Sequence, residues 1–468
     1  MLFSSITFLY CFLPAVLLCY FLAPKGARNA VLLVFSLIFY FFGEPVYTLL
    51  LLFSSLSDYA HSLVIERRRG MATAKIALVS SIVVNLAMLG FFKYADFFVH
   101  TVNALFGLSL PLPGVPLPIG ISFFTFQTMS YTIDVYRGRV HAERNLLSLA
   151  TFVCLFPQLI AGPIVRYTDV ATELNGRSTG REDFYLGARR FVWGLGKKVL
   201  IANAMGELCT SFRSSGEETV LFFWLYAVGF TLEIYFDFSG YSDMAIGLGR
   251  IFGFRFPENF DYPYLSRSIT EFWRRWHMTL GGWFRDYVYI PLGGNRVSRA
   301  KWFRNIFIVW GLTGLWHGAA WNFAVWGLLF GALLVAEKLW LLSWLKKKAG
   351  RVLPHLYVLF VVVLSFVIFN GDGMAGAARD LMGMFGLLGV PLGGTMSLYT
   401  LRSYGLLLAL SCVGATPYPK RIAERVGDTD VGRRLYTVLE PLALAVLLLV
   451  STASLVDGSF NPFLYFRF

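Results

Sequence analysis

The sequence predicts an all-α protein that crosses a lipid bilayer many times. Three observations carry that prediction. The chain is 56% hydrophobic and only 15% charged, with a mean hydropathy of +0.61, whereas a soluble domain carries about a quarter charged residues. Apolar runs of roughly 17–25 residues, the length that spans a bilayer, recur along the whole chain. The basic residues collect in short clusters between those runs: Arg67, Arg68 and Arg69; Lys197 and Lys198; Lys346, Lys347 and Lys348. Such clusters belong to cytoplasmic loops and anionic headgroups. They account for the net charge of +13 and exclude nucleic acid as a partner; membrane lipids are the expected one.

The elements follow in order. Residues 3–23 form a first span, and the first basic residue, Lys25, comes after it. That places the start of the chain outside and Lys25 at the cytoplasm. Residues 30–65 contain a turn at Gly43, Glu44 and Pro45 and end on the Arg67 cluster, returning the chain to the Lys25 side. A span over 74–92 follows. The segment PLPGVPLPIGIS (111–122) excludes a regular helix, because proline removes amide donors and glycine loosens the backbone. The next stretch, 123–138, is an apolar helix interrupted by Gln127, Tyr131, Asp134 and Arg137. Broken backbone at membrane depth is tolerated only where protein or water covers it. Residues 147–165 form a further broken span, and the polar residues 170–190 read as a surface loop. Spans are expected at 191–212, 220–250, 303–320, 323–342, 353–370, 399–415 and 434–455, with an amphipathic helix over 264–290. The total is roughly ten to twelve spanning or half-spanning helices. No internal repeat or long linker divides them, so residues 1–468 are expected to form one integral-membrane domain.

Residues 235–321 are the expected catalytic core. They hold two of the six histidines, His277 and His317. Ionisable groups are costly in hydrocarbon and mark ion pathways or chemistry. Imidazole suits general acid/base work near neutral pH, and Gly314 and Gly318 beside His317 permit close approach of backbone or ligand. Arg274, Arg275 and Arg285 fit either a phosphorylated donor or lipid phosphates. Asp237 and Asp243 lie in an otherwise apolar helix, where they line water or pair with cations such as Arg250 or Arg255. The five scattered cysteines fit neither a disulfide framework nor a metal site, and the histidines lack metal-ligand spacing; no metal is expected.

In order along nearly the whole chain stand FSSITFLYCFLP, FFKYADFF, LPIGISFFTFQTMSYTIDVYRG, FPQLIAGPI, YFDFSGYSDMAIGLG, FPENFDYPY, SITEFWRRWHMTL, FRDYVYIPLGGNR and GLWHGAAWNF. Together they resemble the membrane-bound O-acyltransferases of the alginate O-acetylase type. The resemblance implies a bundle of helices around a tunnel or funnel through the bacterial inner membrane. It implies transfer of an acyl group, commonly acetyl, from a cytoplasmic thioester such as acetyl-CoA, with no bound cofactor. The acceptor would be an extracytoplasmic polysaccharide, reached with a secreted acyltransferase- or esterase-like partner. A glycan or lipid-linked-sugar transporter is the alternative, since broken helices and midplane charges mark that class too.

The resemblance also assigns residues. The family's near-invariant histidine matches His317, and the histidine of its WRRWH motif matches His277. Within the matching motifs Asp237, Asn259, Asp261 and Trp273 are expected at the substrate path, with Arg274, Arg275, Trp316 and Asn322. The aromatic tail, residues 459–468, ends in PFLYFRF. It resembles tails in which a tyrosine carries the acyl group, which makes Tyr465 an expected covalent relay.

Overall fold

A computed structural model describes residues 1–348, 350–458 and Leu464, and its regular elements are helices throughout the described residues. Seven helices are long and apolar enough to cross a membrane, and Phe8–Leu22 is a shorter apolar one. Together they give the mixture of full and partial spans that the sequence predicts. The helices differ in what they face. In Val220–Ile251, 78% of the most apolar window is buried; in Asp430–Val456 the share is 6%. The first is a largely buried helix whose Asp237, Asp243 and Arg250 are held in ion pairs. The second exposes Leu442, Val446 and Leu449, the surface a lipid-facing helix requires.

Two compact units make up the chain: Met1–Phe191 with Ser242–Pro257, and Val192–Tyr241 with Glu258–Phe468. In the first, helices Thr48–Arg67, Ala72–Phe106 and Ile121–Tyr136 pack on one another. Their shared core is polar. Asp58, 1% exposed, accepts from Ser81 Oγ at 2.6 Å and Asn85 Nδ2 at 2.8 Å. Ser81 also meets Thr132 at 3.0 Å, and Thr128 donates to Asn85 at 3.1 Å. A buried carboxylate is tolerable only with such partners, so the network ties three helices together. A phenylalanine cluster of Phe3, Phe8, Phe39 and Phe156 forms the unit's apolar centre, with Phe3 and Phe8 ring centroids 5.0 Å apart. The proline-rich segment is non-helical, as predicted, and the following helix starts after Gly120, whose φ is +77°. A Cβ there would lie 2.6 Å from the Leu159 carbonyl oxygen, so the contact requires glycine.

Residues 170–190 are not a surface loop. They lie mostly in two helices, Tyr167–Asn175 and Arg181–Gly196. Asp169 turns back to accept the Arg166 amide at 2.9 Å and caps the first. The charges that suggested a loop instead have partners. Asp183 binds Arg250 at 3.1 Å and Arg255 at 2.9 Å, while Arg190 binds Asp243 at 2.9 Å. Asp243 is therefore held by Arg190 rather than by the two arginines that the sequence suggested for it.

The second unit is built on a tight hairpin, Arg299–His317 against Trp321–Ala336. A Cβ on Gly314 would run into the Phe323 carbonyl oxygen, and one on Gly327 into that of Trp310. The two backbones touch because both positions are glycine. The expected amphipathic helix over 264–290 breaks in two, Ile269–Arg275 and Met278–Phe284. Between them stands His277 at φ +44°, a left-handed backbone that ends one helix before the next begins. The Ser268 hydroxyl accepts the Glu271 amide at 3.0 Å and caps the first piece.

Candidate active site

His317 is the last residue of Arg299–His317 and is 4% exposed. Its Nδ1 lies 2.7 Å from the Thr313 carbonyl oxygen, one turn back. A carbonyl accepts only, so Nδ1 carries the proton and the neutral imidazole keeps its lone pair on Nε2. Three aromatic rings enclose it. Trp316 and Trp326 lie edge-on with centroids at 5.0 Å, and Phe369 at 5.5 Å. Asn322 holds Phe369 in place: its Nδ2 donates toward the carbonyls of Ile368, Phe369 and Gly371 at 3.2–3.3 Å. Those are end-of-helix carbonyls without intrahelical partners.

His277 is 1% exposed and 5.9 Å from Trp316 between ring centroids. Its Nδ1 meets Asn259 Oδ1 at 3.1 Å. The same oxygen accepts the Thr279 hydroxyl at 2.9 Å, and the Asn259 carbonyl accepts the Met278 amide at 3.0 Å. Asn259 thus fixes both the imidazole and the strained turn that carries it. Phe238 closes the ring's other side at 4.7 Å. Burial, and then the neighbouring His317, hold His277 well below the usual histidine range, so it is neutral at neutral pH.

The remaining expected positions fall into three places. Asp237 is buried in an ion pair with Lys198, Nζ to Oδ1 2.6 Å, and its Oδ2 accepts the Leu464 amide at 3.0 Å. Asp261 and Arg275 pair at 3.3 Å toward the surface, with Glu271 at 2.9 Å from the same guanidinium, and Arg274 is exposed. Trp273 packs against Trp310, Trp326 and Phe330 at 4.8–5.6 Å, which puts it in the aromatic cluster around His317. Tyr465 lies outside the described residues.

The pattern of the membrane-bound O-acyltransferase family matches residues 47–376. The chain belongs to this family. Individual relatives agree as well. "Probable alginate O-acetylase AlgI" of Pseudomonas putida is 40% identical over 100% of both chains. The peptidoglycan O-acetyltransferase of Helicobacter pylori is 34% identical over 84% of this chain and 81% of its own. The teichoic acid D-alanyltransferase of Bacillus subtilis is 28% identical over 54% of this chain and 68% of its own. The protein is an O-acyltransferase and a multi-pass membrane protein.

Four residues of the candidate site escaped the sequence. Thr313, which orients His317, acts through its carbonyl, and any residue type supplies one. Phe369 comes from a distant helix, and no spacing rule reaches it. Lys198 read as half of a basic cluster. Trp326 had a signal: the GLTG and VWGLL stretches put Gly314 and Gly327 where two helices meet, and Trp326 beside that meeting point.

Proposed function

We propose that this acyltransferase moves an acetyl group from a cytoplasmic thioester, acetyl-CoA, to hydroxyls of an extracytoplasmic polysaccharide at the bacterial inner membrane. Residues 235–321 are its catalytic core within one acyltransferase domain, 1–468. The supporting observation is the bond from His317 Nδ1 to the Thr313 carbonyl, which presents Nε2 as the base. In the reaction Nε2 takes the proton of the attacking hydroxyl as its oxygen bonds to the thioester carbonyl carbon. The carbon–sulfur bond then breaks, and the leaving thiolate recovers the proton from the imidazolium. The carbonyls ending helix Arg299–His317 favour that transient cation, because the C-terminal end of a helix is its negative pole. His277, neutral and positioned by Asn259, lines the same path. Trp273 and Trp316 wall it, Asn322 sets Phe369, and Asp237 anchors the end of the chain. Arg274, Arg275 and Asp261 meet the donor or the lipid headgroups at the surface.

The relatives named for alginate and peptidoglycan acetylation support a polysaccharide acceptor and, with it, a secreted esterase-like partner that completes delivery. Tyr465 is the proposed acyl carrier between the two sides, on the resemblance of its tail alone. The test is transfer of labelled acetyl from acetyl-CoA to alginate by the purified chain in proteoliposomes. Replacing His317 with Ala abolishes transfer at normal expression; a variant with full activity refutes the reading. Movement of unmodified glycan without acetyl transfer would establish a transporter instead.

A further inference from the structure

The aromatic cluster around His317 contains two indole N–H groups without an acceptor. Trp326 is 1% exposed, and its Nε1 has no hydrogen-bond partner; the Nε1 of Trp273 has none either. The two rings lie 5.6 Å apart at 81°. Around them stand Phe330 at 5.2 Å and Phe369 at 5.1 Å from Trp326, and Trp310 at 4.8 Å from Trp273. Those walls are carbon and other indole donors. A buried donor left unmet is costly. Elsewhere in the same unit Trp224 donates to the Met384 carbonyl at 2.8 Å. Beside the His317 imidazole, whose Nδ1 is held by its own helix, the donors stay unmet.

An indole nitrogen only donates, so whatever completes Trp326 is an acceptor atom. The rings around it are aromatic and apolar, which suits a neutral carbonyl oxygen flanked by a short acyl group. Trp326 is also held rigidly. It lies on the helix whose Gly327 touches Gly314 three residues before His317, so the indole and the imidazole, 5.0 Å apart, share one fixed backbone contact.

We infer that Trp326 is a further catalytic residue, its Nε1–H donating to the carbonyl oxygen of the acyl thioester while that carbonyl is attacked beside His317. The inference rests on the acyl-transfer reading of His317. As the hydroxyl oxygen bonds to carbon, its proton passes to His317 Nε2 and the C=O electron pair moves onto oxygen. The indole stabilises that oxyanion without giving up its proton. Collapse restores C=O, breaks C–S and returns the proton from His317 to the thiolate. A donor already in place where charge develops favours the transition state over the ground state.

The experiment compares acetyl transfer from acetyl-CoA to alginate by the full chain in proteoliposomes for wild type, Trp326→Phe and His317→Ala. A fourth protein carries β-(3-benzothienyl)alanine at position 326, which keeps the fused rings and replaces N–H with sulfur. Both substitutions at 326 are expected to lower kcat by about 100- to 1,000-fold, with KM for acetyl-CoA within about twofold. The benzothienyl protein is expected to unfold at the wild-type temperature. A purely packing role predicts that Trp326→Phe loses stability while the benzothienyl protein keeps wild-type kcat, and that result overturns the inference. If His317→Ala is inactive and the benzothienyl protein is fully active, only the indole donor fails. If His317→Ala retains activity, the acyl-transfer reading fails with it.

Discussion

The polar core of the first unit and the aromatic core of the second solve opposite problems. The Asp58 carboxylate is answered: Ser81 and Asn85 serve it, and Thr128 and Thr132 serve them in turn. Around His317 the rings pack as closely, yet Trp326 and Trp273 hold donors that nothing in the cluster accepts. Satisfied polarity inside a membrane bundle holds helices together. Unsatisfied polarity beside an oriented imidazole is what the proposed acyl carbonyl would complete.

The sharpest way to break this contrast is to exchange what each region loses. His317→Gln should cut acetyl transfer by about 100- to 10,000-fold, the range of a general base, and leave thermal unfolding unchanged. Asp58→Leu should do the reverse. It strands the Ser81 and Asn85 donors and costs about 2–4 kcal/mol of stability, read as a lower unfolding temperature in detergent, with turnover per folded molecule retained. Equal effects of both substitutions on both readouts would erase the distinction.

Asn259→Ala tests the margin between the two. It releases the His277 ring and its strained turn together, so activity should fall by about 10- to 100-fold with a smaller loss of stability, and Asn259→Asp should recover part of the activity.

A gentler probe uses pH. His277 is held below the usual range in the folded chain by burial and by His317, while in the unfolded chain it titrates near 6.5. Above that pH both states leave it neutral and nothing changes. As pH falls below about 6.5 the unfolded chain takes up the proton first, so stability drops by up to about 1.4 kcal/mol per pH unit. His277→Gln should flatten that part of the stability–pH curve. Smallest of all, Glu424→Ala removes a solvent-exposed partner of Lys420, 3.8 Å away. It should move neither activity nor unfolding temperature measurably, because such screened pairs contribute roughly 0–1 kcal/mol.

The sequence made the membrane class, the helical spans and the two histidines legible for a common reason. Each is a local signal: run length, charge clustering, or an ionisable residue where hydrocarbon is expected. It misjudged residues 170–190 because charge density there is answered by Arg250 and Arg255, brought close only by folding. It read 264–290 as one helix because no periodicity encodes a histidine at φ +44°. It placed Asp237 among groups lining the path and did not foresee Lys198 at 2.6 Å. What orients the His317 ring is a backbone carbonyl, invisible to any reading of side chains. What encloses it is Phe369, fixed by Asn322 from another helix.

Where Gly314 faces Gly327 the hairpin has no side chain left to trim. An attempt to widen the site for longer acyl groups therefore has one direction open to it. The extra methylenes must take the place of the Phe369 or Phe330 ring rather than of the glycine contact, and donor length becomes adjustable by cutting back those two rings one at a time.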